Sequence, residues 1–265
     1  MGGERATAKV ETRLFVAEAL AVGATIGLGP ERAHFLKHVL RLNTGAELAL
    51  FNGADGEFLA RIDGIGKGWA SLAVLAQRRP PAAESDLWLL FAPIKFGRID
   101  FLAQKATELG ATRLMPVFTR RTAVERVNAE RLRANAVEAA EQCERLGVPA
   151  VDEATTLERA IGAWPRERRL YVCAERRGAE PAAVAFARHA AGTPAGTSAG
   201  APAGILVGPE GGFEPSELDA LVKLPFVGAV SLGPLVLRAD TAALAALAVW
   251  QAVAGDWRDG ANRAP

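Results

Sequence analysis

Two turns hold the residues whose types and spacing could do chemistry. Gly208-Pro209-Glu210-Gly211-Gly212 follows the apolar run Ile205-Leu206-Val207, and Pro215 then opens a helical pattern over 215–224. Glycines between a strand end and a helix start let backbone approach a ligand, and the open ends of strands in α/β sheets are where ligands sit. The turn lacks the third glycine of a dinucleotide fingerprint and the Lys-Ser/Thr of a phosphate loop. A tight turn without a ligand is its simple alternative. Ser231-Leu232-Gly233-Pro234 repeats the form, and Leu237-Arg238-Ala239-Asp240-Thr241 leads into a helix capped by Asp240 or Thr241. Two such turns about 25 residues apart predict neighbouring loops around one pocket. Arg238, set between an apolar residue and a helix start, is the odd residue out. Its alternative is a salt bridge to Asp240.

Other chemistries find little support. The three histidines, His34, His38 and His189, form no Ser/His/Asp or Cys/His arrangement, and neither His34 nor His38 has a metal-ligand partner set. No metal is expected. Two cysteines, Cys143 and Cys173, cannot build a disulfide framework or a structural zinc site, which suits a reducing cytoplasm. The longest apolar stretch, 241–255, falls short of the ~20 residues a membrane helix needs, and the first residues lack a signal pattern. A cytoplasmic protein without a membrane segment is the expectation.

With 31 Lys+Arg against 30 Asp+Glu, nucleic-acid binding would require a local patch. One lies between Lys95 and Arg133, where nine basic residues face four acidic ones. A solvated face is the usual explanation of such a run. Here, however, Lys95 and Arg98, and again Arg120 and Arg121, follow strand ends, on loops where binding groups gather. His34, Lys37, His38 and Arg41 could extend the patch.

The elements that must position these residues fall into two regions. Residues 12–77 are β-rich: strands at 13–17, 47–51, 56–62 and 69–75, with Asn52-Gly53 marking a hairpin and Gly64–Gly68 read as a loop. A helix over 34–41, ended by Asn43-Thr44-Gly45, interrupts them. This predicts a small barrel, closed by the linker Arg78-Arg79-Pro80-Pro81. From Leu87 strands alternate with helices: strands at 87–92, 113–118, 170–174, 204–207 and 229–232, helices at 98–109 (capped by Gly110) and 128–146 (stopped by Gly147). Such alternation implies an α/β sheet with crossovers. The Ala/Gly/Pro-rich stretch 191–204 reads as a mobile loop.

Several further stretches, taken in order, carry a resemblance: His34-Phe-Leu-Lys-His-Val-Leu-Arg-Leu42, Gln104-Lys-Ala-Thr-Glu-Leu-Gly110, Glu138-Ala-Ala-Glu-Gln142, Leu206-Val-Gly-Pro-Glu-Gly-Gly-Phe213 and the run from Ser231 to Ala242. The chain resembles the bacterial 16S ribosomal RNA uracil N3-methyltransferases, the ribosomal RNA small subunit methyltransferase E family of the SPOUT superfamily, over nearly its whole length. Two positions depart from the family pattern: Glu214 stands where Ser is usual, a poorer N-cap, and Gln142-Cys143-Glu144-Arg145 replaces Gln-Ser-x-Arg.

The resemblance implies a PUA-like RNA-binding β-barrel over 1–80 and a SPOUT methyltransferase domain over 83–265 with a C-terminal trefoil knot. It further implies S-adenosylmethionine as cofactor, 16S rRNA of the small ribosomal subunit as substrate, and a homodimer. On this reading Leu206, Val207, Gly208, Pro209, Gly211, Leu232, Gly233, Leu237 and Thr241 hold the cofactor, while His34, Arg41, Lys95, Arg98, Arg120 and Arg121 meet RNA. Arg238 would stabilise negative charge developing on a uracil carbonyl, with its guanidinium pointing into the pocket. Glu210 would orient the base or, if buried enough to be basic, accept its proton. Methylation of another RNA position and RNA binding without catalysis are the competing readings. The helix over 241–254, apolar almost all round, predicts a partner copy.

Overall fold

Period-two alternation of apolar side chains builds the first sheet. The computed structural model describes residues 10–95, 97–174, 178–192 and 202–259. It divides into two units, one formed by residues up to 82 together with 140–148, the other by 83–139 and 149 onward. In the first unit the elements are β1 (Arg13–Phe15), β2 (Thr25–Leu28), α1 (Pro30–His34), β3 (Glu47–Asn52), β4 (Gly56–Gly66) and β5 (Trp69–Arg79). The strands form one sheet in the order β1-β3-β4-β5-β2, with β1 parallel to β3 and the other pairs antiparallel. Leu14, Ile26, Leu48, Leu50, Ile62 and Leu72 fill its core. The Asn-Gly hairpin forms between β3 and β4: Asn52 pairs with Gly56, whose φ of 98° is glycine territory, and the Asn52 carboxamide holds Asp55.

Three expectations for this unit need correction. Arg78 and Arg79, expected in a linker, are the last residues of β5, which outlasts the strand expected over 69–75 and stops only at Pro80. The stretch Gly64–Gly68 is no loop; β4 runs to Gly66, and only Lys67 and Gly68 turn. The helix expected over 34–41 begins earlier, with Pro30 opening α1 at its favoured first position. It continues as one wide π-helical turn, Phe35–Val39, and ends before Arg41, whose φ is 58°.

A buried ion cluster also belongs to this unit. Glu57, 3% exposed, accepts from Arg13 Nε at 2.8 Å, Arg79 Nη2 at 2.7 Å and Arg78 Nη1 at 3.1 Å. Burial alone would push its pKa up, but the Arg13 and Arg79 guanidinium groups prevail and hold it below the ordinary carboxylate value. Arg13 also donates to the carbonyls of Ala140, Glu141 and Arg145, which satisfies acceptors that a helix end leaves without partners.

Continuous apolar runs make the second sheet, as expected for strands buried on both faces. Its elements are β6 (Leu87–Phe91), α2 (Arg98–Glu108), β7 (Arg113–Phe118), α3 (Ala129–Cys143), β8 (Ala150–Val151), β9 (Thr155–Thr156), α4 (Leu157–Gly162), β10 (Arg169–Cys173), β11 (Glu180–Pro181), α5 (Ala182–Ala191), β12 (Ala203–Val207), α6 (Pro215–Val222), β13 (Val227–Ser231) and α7 (Ala239–Val253). The order is β11-β13-β10-β12-β6-β7-β8, all pairs parallel, with β9 beside β7. Leu90, Val172 and Leu206 meet Leu218, Leu221 and Trp164 in the core. The helix expected to run to Leu146 stops at Cys143, because Glu144 takes a φ of 65° and breaks it before Gly147. Of the stretch 191–204, residues 193–201 lie outside the described ones, while Ala191 closes α5 and 203–204 open β12. Among the described residues no helix is long and apolar enough to cross a membrane.

Candidate functional site at the ends of three neighbouring strands

Strand order brings the two turns together. β10 lies between β12 and β13, so the carboxyl ends of all three strands adjoin. A pocket of about 420 Å³ opens there, at the edge where open α/β sheets take their ligands. Val207, Gly208, Pro209, Glu210 and Gly211 line it from the first turn, Leu232, Gly233 and Leu237 from the second, and Cys173 and Ala174 from the end of β10. Burial pushes the Cys173 thiol up to about 12, so it stays protonated and is no nucleophile.

The first turn is pinned from several sides. A Cβ on Gly208 would lie 2.9 Å from the Phe213 ring, so only glycine lets that ring fold back over the strand end. Gly212, at φ 66°, donates its N–H to the Pro209 carbonyl at 2.8 Å. Arg121 donates to the Gly211 carbonyl at 3.1 Å, and the Arg120 guanidinium donates to Ser216 Oγ at 2.8 Å. The Arg120 backbone N–H reaches Glu217 Oε1, whose buried partner oxygen Oε2 has no hydrogen bond. Glu214 is the N-cap of α6 and makes no capping bond, as a carboxylate in place of a short hydroxyl predicts. The second turn is looser. Gly233, at φ 115°, exchanges two long hydrogen bonds with the Ser231 hydroxyl, and Leu235 and Val236 are 76% and 80% exposed.

Eight of the residues expected at the pocket line it: Val207, Gly208, Pro209, Glu210, Gly211, Leu232, Gly233 and Leu237. Leu206 does not, because strand alternation turns it into the core. Thr241 is exposed and off the pocket wall, which Ala239 and Ala242 supply instead. Neither Asp240 nor Thr241 caps α7. Arg238 occupies the cap in extended conformation, and Asp240 Oδ1 accepts the Thr241 N–H.

Arg238 itself is a correction. It stands exposed between the pocket-lining Leu237 and Ala239, is not among the lining residues, and its side chain has no hydrogen bond or ion pair among the described residues. Its backbone is extended at the cap of α7, and its carbonyl accepts the Ala242 N–H at 2.8 Å. The simple alternative fails as well, because Asp240 lies 3.9 Å from Arg98 Nε. Glu210 is also exposed, at the rim.

Of the basic residues, Lys95, Arg120 and Arg121 are exposed and Arg98 is half-buried. Arg121 is anchored to the first turn and Arg120 to α6, the helix that follows it, rather than free on a solvated face. In the first unit His34 and Arg41 are exposed, and His34 stands ring to ring with His38, centroids 4.7 Å apart. Sequence reasoning missed Arg121 as a wall residue, together with Cys173, Phe213 and Leu218. Arg121 comes from the turn after β7 and Cys173 from the end of β10, both distant in sequence, and no local signal marks them. Phe213 follows the glycine pair directly and was legible.

An all-parallel α/β sheet with a glycine-lined pocket at adjoining strand ends suits a small-molecule-dependent transferase, and comparison defines the class. Residues 81–251 match the RNA methyltransferase domain, and residues 28–74 the RNA methyltransferase PUA domain. A ribosomal RNA small subunit methyltransferase E from Rickettsia conorii is 35% identical over 89% of this chain and 93% of its own length. Among solved structures, a ribosomal RNA small subunit methyltransferase E from Neisseria gonorrhoeae bound to S-adenosylmethionine superposes with a TM-score of 0.80, at 27% identity over 93% of this chain and 99% of that one. A methyltransferase from Legionella pneumophila in complex with the same cofactor gives 0.77, at 27% identity over 92% and 98%. The chain belongs to the ribosomal RNA small subunit methyltransferase E family.

Proposed function

We propose that this enzyme transfers a methyl group from S-adenosylmethionine to N3 of a uridine in 16S rRNA of the small ribosomal subunit. The observation that carries the reading is the single pocket shared by the 208–212 and 233–237 turns. Its size falls within the roughly 300–1,000 Å³ usual for small-ligand sites. Its donor set is backbone from two glycine turns, with Val207, Leu232 and Leu237 as apolar wall, which fits an adenosine and a methionine held by shape and main-chain hydrogen bonds. The bound cofactor supplies an electrophilic methyl group and needs no metal.

The chain's own residues do the rest. Val207, Gly208, Pro209, Gly211, Leu232, Gly233 and Leu237 bind the cofactor, with Leu206 and Thr241 supporting that wall from behind and beside it. Glu210, at the rim, accepts the hydrogen bond from uracil N3–H, orients the base and takes up the N3 proton as the methyl group arrives, passing it on to water. Arg238, exposed beside the mouth, meets the incoming uracil and stabilises charge developing on its carbonyl oxygen. Lys95, Arg98, Arg120 and Arg121 in the second unit and Arg41 in the first receive rRNA phosphates, and His34 contacts the same RNA. Residues 1–80 serve as the PUA-like RNA-binding barrel and 83–265 as the SPOUT domain, its C-terminal part knotted around the pocket.

The enzyme works in the cytoplasm as a homodimer. Support for the dimer is the apolar surface that a lone chain leaves uncovered: Leu235 and Val236, and the half-buried Leu244 and Val249 on α7. Equilibrium dialysis with S-adenosylmethionine tests the pocket. Saturable binding by wild type that weakens when Gly208 is replaced supports the reading; binding unaffected by changes at Gly208 and Gly233 contradicts it.

A further inference from the structure

A cleft of about 920 Å³ opens in the first unit between α1 with its π-helical continuation and the tip of the β4–β5 hairpin. Pro30, Ala33, His34, Lys37, His38 and Lys67 line it, and Glu31 is the one acid on its wall. The His34 and His38 rings lie 4.7 Å apart, tilted 34° to one another. Neither Lys37 nor Lys67 has an ion-pair partner among the described residues, so both ammonium groups are available to an anion.

Beside the same tip lies an aromatic surface. Trp69 is 51% exposed, unusual for so large an apolar group. Its indole rests on two glycines: a Cβ on Gly66 would lie 2.3 Å from Trp69 Nε1, and one on Gly64 2.9 Å from Trp69 Cη2. The spacing Gly64-x-Gly66 therefore beds the ring flat against β4 while half of it faces solvent. A ring already held in place loses little freedom when something stacks on it. Unpaired bases stack on such rings whatever their sequence, and a basic groove tracks the phosphates between them.

The geometry points to a second RNA contact. The cleft and Trp69 take unpaired nucleotides of a single-stranded RNA segment, with phosphates on Lys37 and Lys67 and bases against Trp69 and the imidazole faces. This rests on the reading of the chain as an rRNA methyltransferase, and adds which RNA conformation its first unit selects.

The test measures anisotropy of a labelled single-stranded oligouridylate binding to the full chain over a range of salt. Trp69→Ala should weaken binding about tenfold, within the 1–3 kcal/mol typical of one stacked base, and leave the salt slope unchanged. Trp69→Phe should restore most of the loss. Lys37→Ala with Lys67→Ala should weaken binding and flatten the slope by about 1.4, since each phosphate contact on a single strand contributes about 0.7. S-adenosylmethionine binding and thermal melting should stay at wild-type values. Wild-type affinity and slope in all these variants overturn the inference, as does tighter binding of a duplex of the same length. Normal RNA binding by the variants with lost binding to assembled small subunits assigns the cleft to a protein partner instead. If wild type itself neither binds S-adenosylmethionine nor methylates 16S rRNA, the proposed function falls; if it does both while the variants bind RNA normally, only this inference falls.

Discussion

The two turns that share the pocket are alike in sequence and unlike in structure. The 208–212 turn is tied down by Arg121, by its own Gly212–Pro209 bond and by Phe213 folded onto Gly208. Among the described residues the 233–237 turn has two long bonds to the Ser231 hydroxyl, and it exposes Leu235 and Val236 by 76% and 80%. A Gly-Pro bend after an apolar strand thus fixes where a loop starts but not how firmly it is held. Firmness comes from neighbours. The first turn finds them within its own chain, whereas the second leaves apolar side chains and Arg238 free, which suits a loop completed by a partner copy and by substrate.

The largest effect should come from the loose turn. Arg238→Ala is expected to lower the methylation rate by roughly 10²–10³, the size typical of losing one preorganised donor, and lysine should rescue only in part because it lacks the planar fork. S-adenosylmethionine affinity should hold, since Arg238 does not line the pocket. Single-turnover rates beside dialysis check this. Loss of folding in step with activity would instead make Arg238 structural.

Leu235→Glu with Val236→Glu probes the other half of that turn. Charges at two sites meant to be covered should weaken self-association by about 10²-fold, given 1.5–3 kcal/mol per buried aliphatic side chain. Sedimentation should show monomer for the variant and dimer for wild type at micromolar concentration. A monomeric wild type removes the explanation for the exposed pair.

For the pinned turn, Gly208→Ala forces Phe213 to move from a wall it helps to form. The expected result is about tenfold weaker S-adenosylmethionine binding, as for overpacking of 1–3 kcal/mol. Replacing Arg120 and Arg121 with Ala should flatten the salt dependence of RNA binding. It should also weaken cofactor binding by about fivefold, because Arg121 loses a hydrogen bond of about 1 kcal/mol to Gly211. A change in the salt slope alone would show that the anchoring of the first turn does not matter.

The smallest effect lies in the first unit and concerns pH. Glu57 is held below its usual carboxylate value of 4.5, so the folded state binds its proton less readily than the unfolded state. Its contribution to stability is full above 4.5 and disappears as pH falls through the folded value. Melting curves of wild type should drop more steeply in acid than those of Glu57→Gln. Parallel curves would mean the cluster is not coupled to folding.

Much of this was legible in the sequence, and the misses share a cause. Apolar runs at 87–91, 113–118 and 203–207 gave strands because a sheet buried on both faces needs nothing subtler. β2 was not visible: Thr25-Ile-Gly-Leu28 is four residues long and contains a glycine that weakens the pattern. The two-residue strands β8, β9 and β11 are created by their partners and have no period of their own. Helix α4 was legible after all, since Thr156 caps it through Arg159 N–H, and α5 follows Pro181 with an alanine-rich start. At the site, local sequence gave the two turns. It could not give Cys173 between them or Arg121 against Gly211, because strand order and long-range hydrogen bonds are written in no single segment.

The central claim is methyl transfer to uracil N3 from the pocket the two turns share. The most direct test incubates the purified enzyme with 16S rRNA or small subunits and labelled S-adenosylmethionine, then maps modified nucleosides by mass spectrometry. One 3-methyluridine in 16S rRNA, formed roughly 10²–10³-fold more slowly with Arg238→Ala, is the predicted result. A label on a ribose, on another base or on a different RNA would contradict it.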